Sequence, residues 1–483
     1  MDLERGRSFW VLGCVLLLFC CPNFARGNVV LEVHHKFAGR EKSLAALKAH
    51  DDRRHGRNLA AVDIPLGGNG SPTDVAIYYT KIKIGTPSEE YYLQVDTGSD
   101  LMWVNCFGCP NCPTTSDIGI DLKLYNPKDS STATTVSCEQ DFCAAAVGPT
   151  GCTVGSRCEY SIAYGDGSTS TGFFIKDNVE LNRASGNLQT TPMNGSVVFG
   201  CAAKQGGGLG KDDLASDGIL GFGQDNSSML SQLAAAGKFK KMFAHCLDSN
   251  KGGGIFAIGQ LVQPQLKSAP LVPNRPHYNV MLKALEVGGD AVELPTNLFD
   301  TDTGRAMVID SGTTLAYLED DLFKPIMNKI LAAQPNLPVH TVEEQFNCFE
   351  FGKSVDKGFP DVTFRFENSL SMTVYPHDYL FPYKDMWCLG WQNSGVPSSN
   401  GKSLNLLGDI VLANKLIFYN LENQTIGWTQ YNCSAGVKMK DQESGAEYTI
   451  GSHDLSPACS LNAGWTSILL SVLLIPMAVV LSE

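Results

Sequence analysis

The sequence predicts a mainly β protein built as two similar lobes. Short apolar runs rich in Val, Ile, Tyr and Phe recur between turn residues, and Gly supplies 48 of the 483 residues. That texture belongs to many short strands. Two stretches then repeat one arrangement. "LQVDTGSDLMWV" (93–104) and "RAMVIDSGTTLAYL" (305–318) each run from an apolar strand into an acid, a small hydroxyl residue, a Gly and a second hydroxyl. Downstream of each acid lies a segment of two apolar residues and a Gly, in "DGILGFG" (217–223) and "LNLLGDI" (404–410). A duplication with a period of about 200 residues is too long for a solenoid and suits two lobes.

In chain order, a charged start, the apolar "FWVLGCVLLLFCC" and the small-x-small site Ala25-Arg26-Gly27 mark residues 1–27 as a secretory signal peptide. A membrane anchor is the alternative, set back by the short apolar core. Residues 28–75 are polar and charged. "KSLAALKAHDDRRHGR" there has the pattern of a short amphipathic helix ending in a basic run, as a propeptide would, with an exposed linker as the alternative. From Tyr78 "YYTKIKIG" alternates as a strand does, "TPSEE" turns, and "YYLQV" leads into Asp96. An N-terminal lobe is expected over 76–270, carrying a Cys-rich insert. "SIAYGDGSTSTG" (161–172) is strand, Gly-Asp-Gly turn and returning strand. "SSMLSQLAAAGK" (227–238) has a Ser cap and helical spacing, and the Pro-rich 264–276 reads as the connection between lobes. A C-terminal lobe is expected over 271–436, with a second packing helix at 319–334 that puts Leu322, Ile326 and Ile330 on one face.

Residues 437–458 read as a polar spacer to a membrane anchor, and 459–483 as an apolar tail with no basic flank. A small-residue site, a spacer and such a tail make a GPI-attachment signal, with Ala458 as the lipidation candidate. A tail-anchoring transmembrane helix is the alternative. The expected location is the outer face of the plasma membrane, reached by the secretory pathway. A formal net charge of −13 argues against nucleic acid or an anionic lipid surface as partner.

Of 16 Cys, the signal peptide would remove Cys14, Cys20 and Cys21, and the tail Cys459. Cys106, Cys109, Cys112, Cys138, Cys143, Cys152, Cys158, Cys201, Cys246, Cys348, Cys388 and Cys433 remain, an even set for six disulfides whose pairing stays open. "CFGCPNC" has metal-ligand spacing, but no His lies nearby, so disulfides are preferred and no metal or cofactor is expected. Asn69, Asn194, Asn226, Asn423 and Asn432 begin glycosylation sequons, Asn69 the weakest because Pro72 follows.

A lone Asp at a strand end is as readily a turn residue as a working one. Two in matching contexts differ, because a two-fold arrangement brings both loops to the pseudo-axis. Carboxylates about 3 Å apart cannot both ionise, so Asp96 and Asp310 would share a proton. One member then serves as general base and the other as general acid, enough to activate a water and protonate an amide carbonyl. Gly98 and Gly312 allow close backbone approach. Ser99 and Thr313 place hydroxyls three residues after each acid.

D-T-G-S and D-S-G-T, each behind an apolar strand and each followed by an apolar-apolar-Gly segment, resemble the pepsin-like aspartic proteases over roughly residues 76–433. The resemblance implies a bilobal β fold with a cleft between pseudo-two-fold lobes, and Asp96 and Asp310 as catalytic dyad. It implies Tyr164 as the flap tyrosine and Trp103 as its hydrogen-bond partner. The Cys-rich insert resembles the plant nepenthesin-type branch, and the C-terminal signal its GPI-anchored members.

The function so implied is an acid-active, monomeric endopeptidase made as a zymogen, acting on polypeptides. A catalytically inactive protease-like binding or inhibitor protein on the same fold is the alternative. A glycosidase would leave the duplicated Asp-(Thr/Ser)-Gly unexplained. "QGGGLGKDD" (205–213) fails as a phosphate loop because Asp, not Ser or Thr, follows Gly-Lys. No Gly-x-Ser-x-Gly elbow occurs, and His245 and His277 read as structural.

Overall fold

The computed structural model describes residues 60–148, 152–211, 215–294, 306–343, 346–394, 405–442 and 444–455. The expected signal peptide, most of the expected propeptide, Ala458 and the apolar tail lie outside them.

The N-terminal lobe opens with β1 (Val62–Asp63) and β2 (Leu66–Gly68). β3 (Tyr78–Ile84) and β4 (Glu89–Asp96) form an antiparallel pair running from Tyr79 opposite Gln94 to Ile84 opposite Glu89. Alternate residues of both face the core, which is the period of two that the sequence shows. After the first acid come β5 (Trp103–Asn105), α1 (Asp141–Val147) and β6 (Glu159–Ala163). The long strands β7 (Thr169–Gly186) and β8 (Gln189–Gly206) pair along almost their whole length. β9 (Gly218–Gly221) then threads between β4 and β5, parallel to the first and antiparallel to the second. α2 (Met229–Ala235) follows, its first turn capped by the Ser228 hydroxyl, which accepts from the Ser231 amide.

Next, β10 (Met242–Leu247), β11 (Gly254–Ile258) and β12 (Gln260–Gln263) lead into β13 (Asn279–Val287). The C-terminal lobe repeats the threaded motif with β14 (Ala306–Ile309), β15 (Ala316–Leu318) and β16 (Asn405–Leu407). β16 runs parallel to β14 and antiparallel to β15. Between the second and third of these, α3 (Asp320–Ala332) buries Leu322, Ile326 and Ile330, as its spacing requires. α4 (Asp409–Leu412) follows β16 directly. β17 (Lys415–Asn420) and β18 (Thr425–Gln430) then return to the N-terminal half, where β17 pairs with β10. One continuous sheet thus joins strands of both halves.

All twelve candidate cysteines are paired: 106–201, 109–112, 138–152, 143–158, 246–433 and 348–388. The bond between Cys109 and Cys112 consumes the metal-like spacing of "CFGCPNC". Cys143–Cys158 and Cys138–Cys152 fasten α1, a helix hidden from pattern reading by the cysteines within and around it.

At both ends the structure draws boundaries differently from the sequence. Residues 60–68, expected in the propeptide, belong to the lobe: β1 lies between β11 and β7, and Val62, Ile64 and Leu66 are buried. Residues 437–455, expected as spacer, fold into β19 (Val437–Lys440) and β20 (Glu447–Ile450), added to β12. The composition there is polar, but Val437, Met439 and Ile450 fall on one buried face. Arg183 meets the buried Asp441 at 3.0 Å, and His453 Nε2 meets Asp63 Oδ2 at 2.8 Å. Within the expected connection, Ser268–Pro270 is also a strand, paired with β18.

Candidate active site

β4 delivers Asp96 to the end of its sheet, where the parallel β9 ends in register with it and the Phe222 amide donates to the Asp96 carbonyl at 2.7 Å. β14 delivers Asp310 likewise, and the Asp310 amide donates to the Leu407 carbonyl at 3.1 Å. Each acid therefore sits just past a strand walled by its threaded partner, which fixes backbone direction without any local signal in the loop itself.

The two loops interlock. The Ser311 amide donates to Thr97 Oγ1 at 2.8 Å, and Gln94 Nε2 donates to the Gly312 carbonyl at 3.2 Å. A Cβ added at Gly98 would stand 2.6 Å from Asp310 Oδ2, and one at Gly312 only 2.1 Å from Asp96 Oδ1. Each Gly is thus the floor against which the opposite carboxyl rests. The Gly98 amide donates to Asp96 Oδ1 at 2.7 Å, and the Gly312 amide to Asp310 Oδ1 at 2.9 Å. Ser99 Oγ donates to Asp96 Oδ2, and Thr313 Oγ1 to Asp310 Oδ2 at 2.7 Å. The sequence-predicted residues of the pair thus all come together.

Both carboxyls are buried, at 7% and 5% exposure, and burial raises both pKa values. For Asp310 the nearby Asp96 charge adds to desolvation and pushes it up to about 7. The Ser99 hydroxyl, the Gly98 and Ser99 amides and His277 partly offset the burial of Asp96. The pair is thus built to hold one proton between them.

Tyr164 stands on the β6–β7 hairpin, whose turn is clasped by Asp166 accepting from the Ser168 amide and hydroxyl at 2.9 and 2.8 Å. Trp103 Nε1 donates to the Tyr164 hydroxyl at 2.7 Å. The hairpin is thereby tied to Trp103 of β5. A cavity of about 910 Å³ extends from Gly98–Leu101 between this hairpin and α1, lined among others by Tyr160, Ile162, Ala146 and Val147.

Three participants escaped sequence reasoning. Thr97 carries the link between loops. His277, read from sequence as structural, donates from Nδ1 to the Gly98 carbonyl at 2.9 Å and so steadies the loop itself. Asp409 is 3% exposed, its Oδ1 has no hydrogen-bond partner among the described residues, and its amide donates to the Thr313 carbonyl at 2.7 Å. Burial first, then the charges of Asp310 and Asp96, raise its pKa well above the carboxylate range. The only available signal was its place in the second apolar-apolar-Gly segment. Away from the cleft, Asn194, Asn226, Asn423 and Asn432 are exposed, whereas Asn69 is half-buried and donates to Asp74 Oδ2 at 2.7 Å.

Two threaded lobes presenting interlocked, proton-sharing acids under a hairpin define the pepsin-like class of aspartic proteinase folds. Known proteins agree. The families described as "Xylanase inhibitor N-terminal" and "Xylanase inhibitor C-terminal" match residues 78–260 and 277–430. The chain is 51% identical over 450 residues to Aspartic proteinase 36 of Arabidopsis thaliana, covering 93% of each. It is 48% identical over 459 residues to Aspartic proteinase 39 of the same plant, covering 95% of each. Among solved structures, edgp superposes with a TM-score of 0.61 at 20% identity, covering 78% of this chain and 96% of that one. Basic 7S globulin from soybean gives 0.59 at 19%, with the same coverage. The chain belongs to the plant aspartic proteinases of pepsin-like fold.

Proposed function

We propose that this protein is an aspartic endopeptidase with Asp96 and Asp310 as its catalytic dyad. The observation that supports the reading most is the intact mutual geometry: each carboxyl keeps its Gly amide, its hydroxyl partner and the opposing Gly. Asp96, the better compensated for its charge, acts as base on a water held between the inner oxygens. Asp310, carrying the shared proton, donates it to the scissile carbonyl oxygen as the tetrahedral diol forms. Its collapse breaks the C–N bond, the leaving nitrogen takes a proton, and no covalent enzyme intermediate arises. Two ionised acids cannot do this, so activity belongs on the acid side of neutrality. The hairpin closes over an extended polypeptide and excludes water.

The matched family descriptions name xylanase inhibitors, which keeps a non-catalytic binding role as the second reading. An acid pair retained with every supporting hydrogen bond speaks for catalysis, because a binding protein has no use for a shared proton. We further infer a zymogen of the nepenthesin-type branch, secreted, disulfide-bonded, glycosylated on exposed sequons, monomeric and GPI-anchored at the cell surface. Secretion, the zymogen and the anchor rest on the sequence patterns at the chain ends, the branch on the Cys-rich insert, and glycosylation on the internal sequons.

Purified, activated protein should cut a denatured protein at about pH 4, be blocked by pepstatin, and fall silent as Asp96→Asn. Full activity in that variant overturns the mechanism. Phosphatidylinositol-specific phospholipase C should release the protein from intact cells, and retention would indicate a transmembrane tail.

A further inference from the structure

The turn of the β6–β7 hairpin is not left free at the edge of its sheet. Where β8 ends, Gly206 is paired with Thr169, and Gly207–Gly210 forms a short 3-10 turn beside the hairpin. The Gly208 amide donates to Ser168 Oγ at 3.0 Å. Ser168 is itself buried, at 2% exposure, and its hydroxyl donates to Asp166 Oδ2 at 2.8 Å. Its carbonyl accepts from the Tyr164 amide at 2.8 Å, and the Gly167 amide donates to the Tyr164 carbonyl at 3.0 Å. One side chain therefore joins the glycine segment to the turn that carries Tyr164.

The fit is close. A Cβ added at Gly206 would stand 2.5 Å from Thr169 Oγ1, and one at Gly207 would stand 2.8 Å from Ser168 Cα. Gly207 also has φ +66°, in the left-handed region that favours glycine. The glycine run that fails as a phosphate loop is thus what lets this backbone lie against the hairpin turn. Leu209 packs on the same apolar cluster as Tyr164, around Trp103 and Tyr160.

The Cys-rich insert holds the segment from its other side. Asn111 stands in the tight loop closed by Cys109–Cys112. Its Nδ2 donates to the Gln205 carbonyl at 2.6 Å, just before the segment begins. At the far end, a Cβ on Gly210 would stand 3.3 Å from the Asn111 carbonyl oxygen. Gln205 is buried, and its Nε2 donates at 2.9 Å to Oδ1 of Asn105, on the same strand as Trp103. Both ends of the segment are therefore fixed outside the hairpin, while its middle grips the hairpin turn. A two-stranded hairpin is marginal by itself, and the Trp103 bond holds only the tip of the Tyr164 side chain.

We propose that Gly206–Gly210 is a strap over the hairpin turn, and that Asn111 and Ser168 are positioning residues for Tyr164. Asn111 anchors the strap, and Ser168 passes its hold to the tyrosine's backbone. This rests on the endopeptidase reading for its effect on turnover, and not for its effect on the hairpin.

The test compares Ser168→Ala, Asn111→Ala, Tyr164→Phe and the double variant Ser168→Ala/Tyr164→Phe in the full, activated chain. Asn111 is exposed, so its replacement spares the core. Hydrogen exchange, which needs no turnover, should quicken at the Tyr164 and Gly167 amides by about tenfold in Ser168→Ala and about threefold in Asn111→Ala. Exchange in β10, remote from the strap, should stay unchanged. On a fluorogenic peptide Ser168→Ala should lower kcat/KM by about tenfold. The double variant should be no worse than Tyr164→Phe alone, because Ser168 acts through that tyrosine. Unchanged exchange at Tyr164 and Gly167 in both single variants would overturn the proposal, whether or not the wild type cut any peptide. In an active wild type, a double variant whose loss equals the product of the two single losses would overturn it as well. A wild type that cuts nothing, with variants that still loosen the hairpin, would sink the endopeptidase reading and leave the strap standing.

Discussion

The two acid-bearing loops are near copies in sequence and hydrogen bonding, yet their surroundings are unlike. On the N-terminal side Trp103 ties down Tyr164 of the hairpin, and His277 steadies the Gly98 carbonyl. On the C-terminal side Thr313 answers to a third buried acid, Asp409, through the amide bonded to its carbonyl. A symmetric pair of carboxyls would leave the shared proton undecided. The neighbours here are unequal: hydrogen bonds and His277 offset the burial of Asp96, whereas the Asp96 charge adds to the burial of Asp310. The lesson is that duplication supplies the paired geometry while divergence makes the surroundings of the two acids unequal.

The largest effects should come from the acids themselves, and they should break the apparent equivalence. Asp96→Asn and Asp310→Asn should both cost about 10⁴-fold or more in kcat/KM. Their stabilities should differ. Asp310 has a folded pKa raised to about 7, above the ordinary carboxyl value of 3.8, so its contribution is fully present below the unfolded value. That contribution fades as pH rises towards about 7. Asp310→Asn should therefore melt higher than wild type at neutral pH while being inactive, as differential scanning calorimetry at matched pH would show. A lower melting temperature at neutral pH would contradict the assignment of the proton.

Next come the floors. Gly312→Ala and Gly98→Ala should each lose about 100-fold in activity, with Gly312→Ala the worse, because its Cβ meets the opposite acid at 2.1 Å rather than 2.6 Å. The reverse order in steady-state assays would show the loops to be less alike than they look. Smaller still, Tyr164→Phe and Trp103→Phe should lower kcat/KM by about tenfold, removing a bond the C-terminal side lacks. The smallest effect belongs to Asp409→Asn. Asp409 is neutral in acid, so activity there should change less than about threefold. As pH rises, wild-type Asp409 begins to ionise beside the pair and the variant cannot, so the variant should keep activity to higher pH. An unchanged alkaline limb in the pH–rate profile would remove Asp409 from the site.

Much of this was legible before any coordinates. The pairing of Asp96 with Asp310 was visible because the surrounding pattern occurs twice, and β3, β4, α2 and α3 followed from alternation, capping and helical spacing. The six disulfides agreed with the even count, while their pairing, left open by the sequence, came from the structure. α1 was obscured by cysteines that looked like loop markers. The hairpin over 437–455 was obscured by polar composition, although its apolar residues fall on one face. Thr97, His277 and Asp409 were hidden for another reason. Their partners lie far along the chain, as with Ser311 to Thr97 at a separation of 214 and His277 to Gly98 at 179.

By itself the sequence determined which residue types stand where: two acids at strand ends, a Gly and a hydroxyl after each, and enough half-buried strands for two lobes. These are local properties, set by backbone conformational preference and hydrophobic period. Only the tertiary structure decided how unequally the two carboxyls are surrounded and which atoms hold the loops in register. Those depend on burial, on distances of a few ångströms between segments far apart in sequence, and on a low local dielectric that gives small differences in neighbours large electrostatic weight.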